Sequence, residues 1–188
     1  MRVAFDTSFL AVLTDGTSAV RPAPPDVTGT AEDRPAYLLQ RLDEDRAEIV
    51  IPMPAVAELL TVASRDPSDV LALIDTQARF QLADFDRRAA IECGIMLRSA
   101  LPKAARGATS RIAVKFDAQI LAIAKVAGAS ILYTDDDRLQ SQARLAGITA
   151  VGFWSLPVRP ADPQGALPLS PEPKTTPRPK APSKSTRR

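Results

Sequence analysis

Five short apolar runs recur along the chain at spacings that leave room for a helix between each pair. They are RVAF (2–5), EIVIP (48–52), RFQLADF (79–85), SILYT (130–134) and ITAVGF (148–153). Helical periodicity fills 8–14, 36–46, 54–64, 67–77, 86–101, 117–127 and 137–146. Strands that alternate with helices connect as βαβ units, and such units build a parallel sheet buried on both faces. The expected fold is therefore α/β, a three-layer sandwich with a parallel sheet of about five strands flanked by helices. The stretch RPAPPDVTGTAEDRP (21–35), rich in Pro and Gly, reads as a loop.

The pattern stops at Leu156. Residues 157–188 have no helical or strand period and carry much of the proline, which reads as a disordered or polyproline-like tail after a single domain over 1–156. This segment has seven basic and two acidic residues, so about +5 of charge lies there. The whole-chain value of +2 then leaves about −3 for residues 1–156. The tail is either a solvated extension or an electrostatic aid in holding nucleic acid or a partner. No apolar run reaches the roughly 18 residues a membrane span needs, and MRVAFDTSFL lacks the pattern of a secretory signal. A cytoplasmic protein with no membrane role is expected.

The chain has no histidine and one cysteine, Cys93. That removes the usual zinc sets, the His-based triads and any internal disulfide. Cys93, inside the helix-like RRAAIECGIMLRSA, reads as a buried structural thiol. Hydrolytic chemistry would have to rest on carboxylates, hydroxyls, Lys or a hard metal ion.

In an open parallel sheet, sites form outside the carboxyl ends of the strands. Asp6 ends the first strand and is followed by Thr7 and Ser8, and helix capping is the plainer reading of it. Glu58 in IPMPAVAELL lies just over one turn into the helix after the second strand, bordering the stripe of Val56, Leu59, Leu60 and Ala63; alone it is an ordinary boundary charge. In KFDAQILAIAKVAG, Asp117 begins the stripe of Ile120, Leu121 and Ala124, so a carboxylate faces the sheet. It needs a cation, hydrogen bonds or a helix N-terminus to compensate its burial, and capping is the alternative. SILYT then delivers Asp135, Asp136 and Asp137 at its carboxyl end. Carboxylates converging on one rim repel each other unless a divalent cation binds them. All-oxygen donors favour Mg²⁺ or Mn²⁺, the ions that activate water and orient phosphodiesters in nucleases.

The ordered set VAFDTSFL, IPMPAVAELL, KFDAQILAIAKVAGASILYTDDDRL and AGITAVGFWSLP resembles the PIN-domain ribonucleases, whose best-known members are VapC-type toxins. Its long loop after Thr14 and its basic tail depart from the compact toxin pattern, and it looks closer to uncharacterised PIN proteins sharing KFDAQILAIAK and YTDD. The resemblance implies a Mg²⁺- or Mn²⁺-dependent endoribonuclease, a homodimer and, for a toxin, an antitoxin partner. It places the catalytic and metal-binding acids on Asp6, Glu58, Asp117 and Asp136. Asp135 is the runner-up for the fourth position, with Asp137 third and otherwise a helix-capping residue. Thr7, Ser8 and Thr134 become supporting hydroxyls.

Between Cys93 and Phe116 the charged residues are all basic: Arg98, Lys103, Arg106, Arg111 and Lys115. This block either lies along a solvated face or holds RNA phosphates beside the rim, with Arg106, Arg111 and Lys115 nearest the acids in sequence. The competing function is a catalytically inactive PIN-like module that binds RNA or protein. A haloacid-dehalogenase-like phosphotransferase is disfavoured, because its second aspartate would fall on Ser8.

Overall fold

The structure is a computed structural model that describes residues 1–160 except 17–19, 26, 28–30, 32 and 105–107; for 99–104 and 108–110 it describes the backbone alone. In chain order the elements are β1 (Arg2–Phe5), α1 (Thr7–Asp15), α2 (Asp33–Glu44), β2 (Glu48–Pro52), α3 (Met53–Val62), α4 (Pro67–Asp75), β3 (Phe80–Ala83), α5 (Arg87–Ala104), α6 (Ala108–Val126), β4 (Ile131–Tyr133), α7 (Asp137–Leu145) and β5 (Thr149–Val151), followed by a 3₁₀ turn, Phe153–Ser155. The strands form one sheet in the order β3-β2-β1-β4-β5, and every pairing is parallel. The α/β sandwich with a five-stranded parallel sheet is thus the observed fold.

This order places the topological switch point between β1 and β4: the chain leaves β1 toward β2 on one side and leaves β4 toward β5 on the other. The two strands pair in register at Phe5 and Tyr133, so the next residues, Asp6 and Thr134, emerge side by side. A crevice opens at the carboxyl ends of two strands whose connections diverge in this way.

Beneath that crevice the few aromatic residues are concentrated. Phe5 and Phe9 have ring centroids 4.8 Å apart, and Tyr133 stands 5.5 Å from Phe5 and 5.4 Å from Phe9. Phe153 of the closing turn continues the cluster at 6.5 Å from Phe9. The aliphatic core around it, including Val3, Ile49, Ile51, Leu121 and Leu132, is almost fully excluded from solvent. Cys93 is buried against Ala118 and Ala122, and burial raises its thiol pKa, in keeping with a packing role.

Three local expectations are corrected. The helix containing Asp117 begins at Ala108, not at residue 117, because the apolar positions Val114, Asp117's neighbour Ala118 and Leu121 continue one buried stripe backwards. Asp117 is therefore mid-helix and cannot cap. Helix α2 begins at Asp33, so the loop expected over 21–35 ends earlier; Arg34 is buried, donating to the carbonyls of Leu156 (2.7 Å) and Trp154 (3.3 Å). The third concerns the aspartate triplet: Asp136, not Asp137, is the N-cap of α7, accepting from the backbone N–H of Arg138 (2.8 Å) and Leu139 (3.0 Å). Asp137 is the first helical residue and pairs with Arg21 at the surface (3.0 Å). The tail expected over 157–188 lies outside the described residues from 161 onward. Before that point, Arg159 still packs on the domain, donating to Gln40 and sitting over Tyr37.

Leu132, fully buried in β4 at the switch point, is the side chain whose loss should hurt most. Leu132→Ala is expected to destabilise the protein by about 2–5 kcal/mol in urea unfolding. A change below about 1 kcal/mol would mean that β4 is not part of the core.

Candidate active site

Asp6 ends β1 and caps α1, and its carboxylate is 4% exposed. The Oδ1 atom accepts from the Phe9 N–H (3.1 Å) and the Ser8 hydroxyl (2.7 Å), and Oδ2 accepts a short hydrogen bond from the Thr134 hydroxyl. Both hydroxyls are bound on their other side by the loop after β4. Ser8 Oγ accepts from the Asp135 N–H (2.9 Å) and Thr134 Oγ1 from the Asp136 N–H (3.1 Å). Capping and site placement, alternatives from sequence, thus coexist in one carboxylate that ties β1 to β4.

Burial pushes the Asp6 pKa up to about 6, although four hydrogen bonds pull it down. A carboxylate so surrounded by donors and still hard to ionise is short of positive charge, not of hydrogen bonds.

The remaining acids approach from three directions. Glu58, on the second turn of α3, accepts from the Thr7 hydroxyl through Oε2 (2.6 Å). Asp117 reaches in from mid-α6 and is 8% exposed. Burial raises its pKa, Arg138 opposes this by hydrogen bond and charge, and the charges of Asp136 and Glu58 push it further up. Asp136 offers the oxygen that its capping role leaves spare. Asp6, Glu58, Asp117 and Asp136, with Thr7 and Ser8, all line one cavity of about 740 Å³, whose far wall is apolar and includes Val62, Ile112 and Phe116.

Asp135 does not line this cavity. Its Oδ1 accepts from the Phe153 N–H (2.6 Å), pinning the closing turn to the β4 loop. Gly152 lies close by: a Cβ there would stand 3.3 Å from Asp135 Oδ1 and 3.0 Å from the Gln140 amide nitrogen, so a side chain would have to push both aside by a few tenths of an ångström. The basic residues are less tied to the cleft. Arg111 and Lys115 are exposed on α6, outside the cavity lining, and Arg106 lies outside the described residues.

Arg138 is the residue that sequence reasoning missed. Its Nε and Nη2 both donate to Asp117, the latter at 3.3 Å to Oδ1, and Nη2 is 3.5 Å from Asp136 Oδ2. Partial burial lowers the guanidinium pKa, but the hydrogen bond and charge of Asp117, with the charges of Asp136 and Glu58, raise it overall. A signal was present: a cation at the second position of α7 opposes the helix dipole, which implies a tertiary partner.

The donor set fits a hard divalent cation in chemistry, being oxygen throughout. As the side chains stand, no three acidic or thiol groups among the described residues converge closely enough to hold an ion, and Arg138 bridges two of the four. Asp6, Glu58, Asp117 and Asp136 are the residues that would hold one.

An all-parallel α/β sheet with an acidic cleft at its switch point defines the class, and comparison with known proteins narrows it. The PIN domain model matches residues 27–145, a span that includes Glu58, Asp117 and Asp136 while Asp6 lies upstream. The chain belongs to the PIN domain family. Similar solved structures include VapBC2 from Rickettsia felis bound to a DNA fragment from its promoter (TM-score 0.54, 17% identity) and VapBC-1 from nontypeable Haemophilus influenzae (TM-score 0.53, 16% identity). DNA-bound VapBC from Salmonella typhimurium aligns at TM-score 0.50 and 20% identity. Each alignment covers 81% of this chain and 98% of the matched chain, and at these identities it speaks for the fold. No curated protein matches the sequence significantly.

The raised pKa of Asp6 carries a sign. Between pH 4 and 6 the native protein holds a proton that the unfolded chain has released, so this group's contribution to stability is full below about pH 4 and falls as pH rises to about 6. The loss is roughly 3 kcal/mol at neutral pH without metal. Asp6→Asn removes the buried charge and can keep the Phe9 and Ser8 hydrogen bonds through its carbonyl oxygen, while the Thr134 hydroxyl turns to accept from the amide and gives up its own acceptor. In EDTA, the variant should be more stable than wild type at pH 7, with the difference vanishing near pH 4; urea melts across pH 4–8 would show it. Parallel stability curves would contradict the burial cost.

Proposed function

We propose that this protein is a metal-dependent endoribonuclease that hydrolyses RNA phosphodiester bonds. The observation that carries the proposal is that Asp6, Glu58, Asp117 and Asp136 line one cavity. A phosphate-binding surface gains nothing from four carboxylates unless a cation neutralises them, and the absence of histidine leaves oxygen-seeking ions as the match. Bound Mg²⁺ or Mn²⁺ supplies activation of the attacking water and charge neutralisation at the phosphodiester. The chain's own groups do the positioning. Thr134 and Ser8 hold the Asp6 carboxylate in one orientation, and Thr7 holds Glu58. The solvent-exposed apolar side chains of Val62, Ile112 and Phe116 line one wall of the cleft. Arg111 and Lys115, exposed on α6 beside that wall, are proposed to meet the RNA backbone, together with Arg106.

The solved structures it resembles in fold are VapBC proteins, and this likeness is in keeping with a toxin that pairs with an antitoxin; action in the cytoplasm and a homodimer belong to the same proposal. Among the described residues no helix is long and apolar enough to cross a membrane. A second reading, an inactive RNA- or protein-binding module, is favoured by one observation: Arg138 already neutralises part of the acidic cluster.

Purified protein should cleave single-stranded or structured RNA with Mn²⁺ or Mg²⁺ and stop when excess EDTA is added. Asp6→Asn and Asp117→Asn should each lose at least about 100-fold in rate with the fold intact by circular dichroism, since even the partners of metal ligands cost about 10–100-fold. Cleavage that persists undiminished in EDTA would refute the mechanism. RNA binding without cleavage, and without heat on Mn²⁺ titration, would favour the binding module.

A further inference from the structure

Arg138 is the one cation among the described residues lining the acidic cavity, and its contacts occupy the oxygens that a divalent ion would need. Asp136 shows the conflict most clearly. Its Oδ1 is committed to the N-cap of α7, taking the N–H groups of Arg138 and Leu139, and the spare Oδ2 faces the Arg138 guanidinium at 3.5 Å. Asp117 is engaged through both oxygens. A cation binding to either acid therefore competes with this guanidinium for the same oxygens.

The two pairs differ in how readily they yield. The Asp117 side chain is 11% exposed, whereas those of Asp136 and Arg138 are 43% and 41% exposed. An exposed pair is weak because water competes for it, and a buried carboxylate left without a partner is costly. Arg138 therefore has two properties at once. It donates to both oxygens of the buried Asp117, and its long side chain, in the first turn of α7, is 41% exposed, so it can swing out toward solvent.

We infer that Arg138 is an exchangeable internal counter-cation: it occupies the acidic cleft of the free protein and leaves when a divalent ion binds, so that it competes with the ion for Asp117 and Asp136. The inference rests on the reading of the cleft as a divalent-cation site. Its consequence is a threshold. The free protein binds the ion less tightly than its four carboxylates allow, and stays folded at low ion concentration because the arginine stands in. Acidic clusters in such sites otherwise destabilise the fold when the metal is withdrawn. Lys would serve less well, since its ammonium lacks the planar fork with which the guanidinium meets both oxygens of Asp117.

The test is Mn²⁺ binding, measured by calorimetry on the full chain without RNA, for wild type, Arg138→Gln and Arg138→Lys. Arg138→Gln should bind Mn²⁺ roughly two- to fivefold more tightly than wild type, the range expected when a half-exposed ion pair no longer has to break first. Arg138→Lys, which keeps the charge and guards against a Gln variant that folds poorly, should fall between them. Thermal melts give an independent readout. Without metal, Arg138→Gln should melt below wild type, and saturating Mn²⁺ should shrink or remove that deficit by linkage, whereas an arginine with a purely structural role would leave the deficit constant.

Mn²⁺ affinity in Arg138→Gln equal to or weaker than that of wild type would overturn the inference, as would a melting deficit that Mn²⁺ does not change. If Asp117→Asn loses Mn²⁺ binding while Arg138→Gln leaves it unchanged, the inference alone falls and the metal site stands. If no protein in the set binds Mn²⁺, both fall.

Discussion

The short hydrogen bond from Thr134 to Asp6 joins the ends of β1 and β4 at the point where the sheet's connections diverge. Nearly everything at the rim follows from it. The carboxylate must be buried for the two strand ends to approach, and its burial raises its pKa to about 6. Thr134 and Ser8 compensate by donating to Asp6, and each in turn accepts an N–H from the β4–α7 loop. That pair of relays fixes Asp135 and Asp136 in space, and the two then diverge: Asp135 turns to the closing turn at Phe153, and Asp136 caps α7 and borders the cleft. The fold thus spends stability to hold a carboxylate where charge is poorly tolerated, a compromise common at functional sites and seldom found elsewhere.

Charge balance explains the rest of the cleft. Four carboxylates line one cavity, and a single arginine offsets part of that charge. Asp117 lies in the middle of a 19-residue helix, too far from its N-terminus to draw on the positive end. A side-chain or metal cation is its remaining source of compensation, and Arg138 supplies it. On the proposed function the same electrostatics would draw in a divalent ion, which could contact several carboxylates where the guanidinium reaches two.

Sequence alone carried the architecture well, because the alternation of apolar runs with helical periods leaves few other folds open, and each of the five runs became a strand of the sheet. The positions of Asp6, Glu58 and Asp117 around one cleft were legible from strand ends and from an acid set in an apolar stripe. What failed did so for local reasons. The start of α6 is hard to see in the sequence because the basic residues between 98 and 115 mask the buried stripe that continues through Val114 and Ala118. The cap of α7 moved by one residue because three adjacent aspartates give the same capping signal, and only the Thr134 contact to the Asp136 N–H selects among them. Arg138 was passed over because its partner, Asp117, is 21 residues away in sequence. A charge pair between separate helices has no periodicity to reveal it.

The central claim is that the carboxylates of this cleft bind a divalent cation for hydrolysis. The most direct measurement is anomalous diffraction from crystals of the full chain grown with Mn²⁺. The account predicts an anomalous peak ligated by oxygens drawn from Asp6, Glu58, Asp117 and Asp136, with the Arg138 guanidinium withdrawn from Asp117. A cleft without anomalous density at millimolar Mn²⁺, with Arg138 still forked between Asp117 and Asp136, would contradict it.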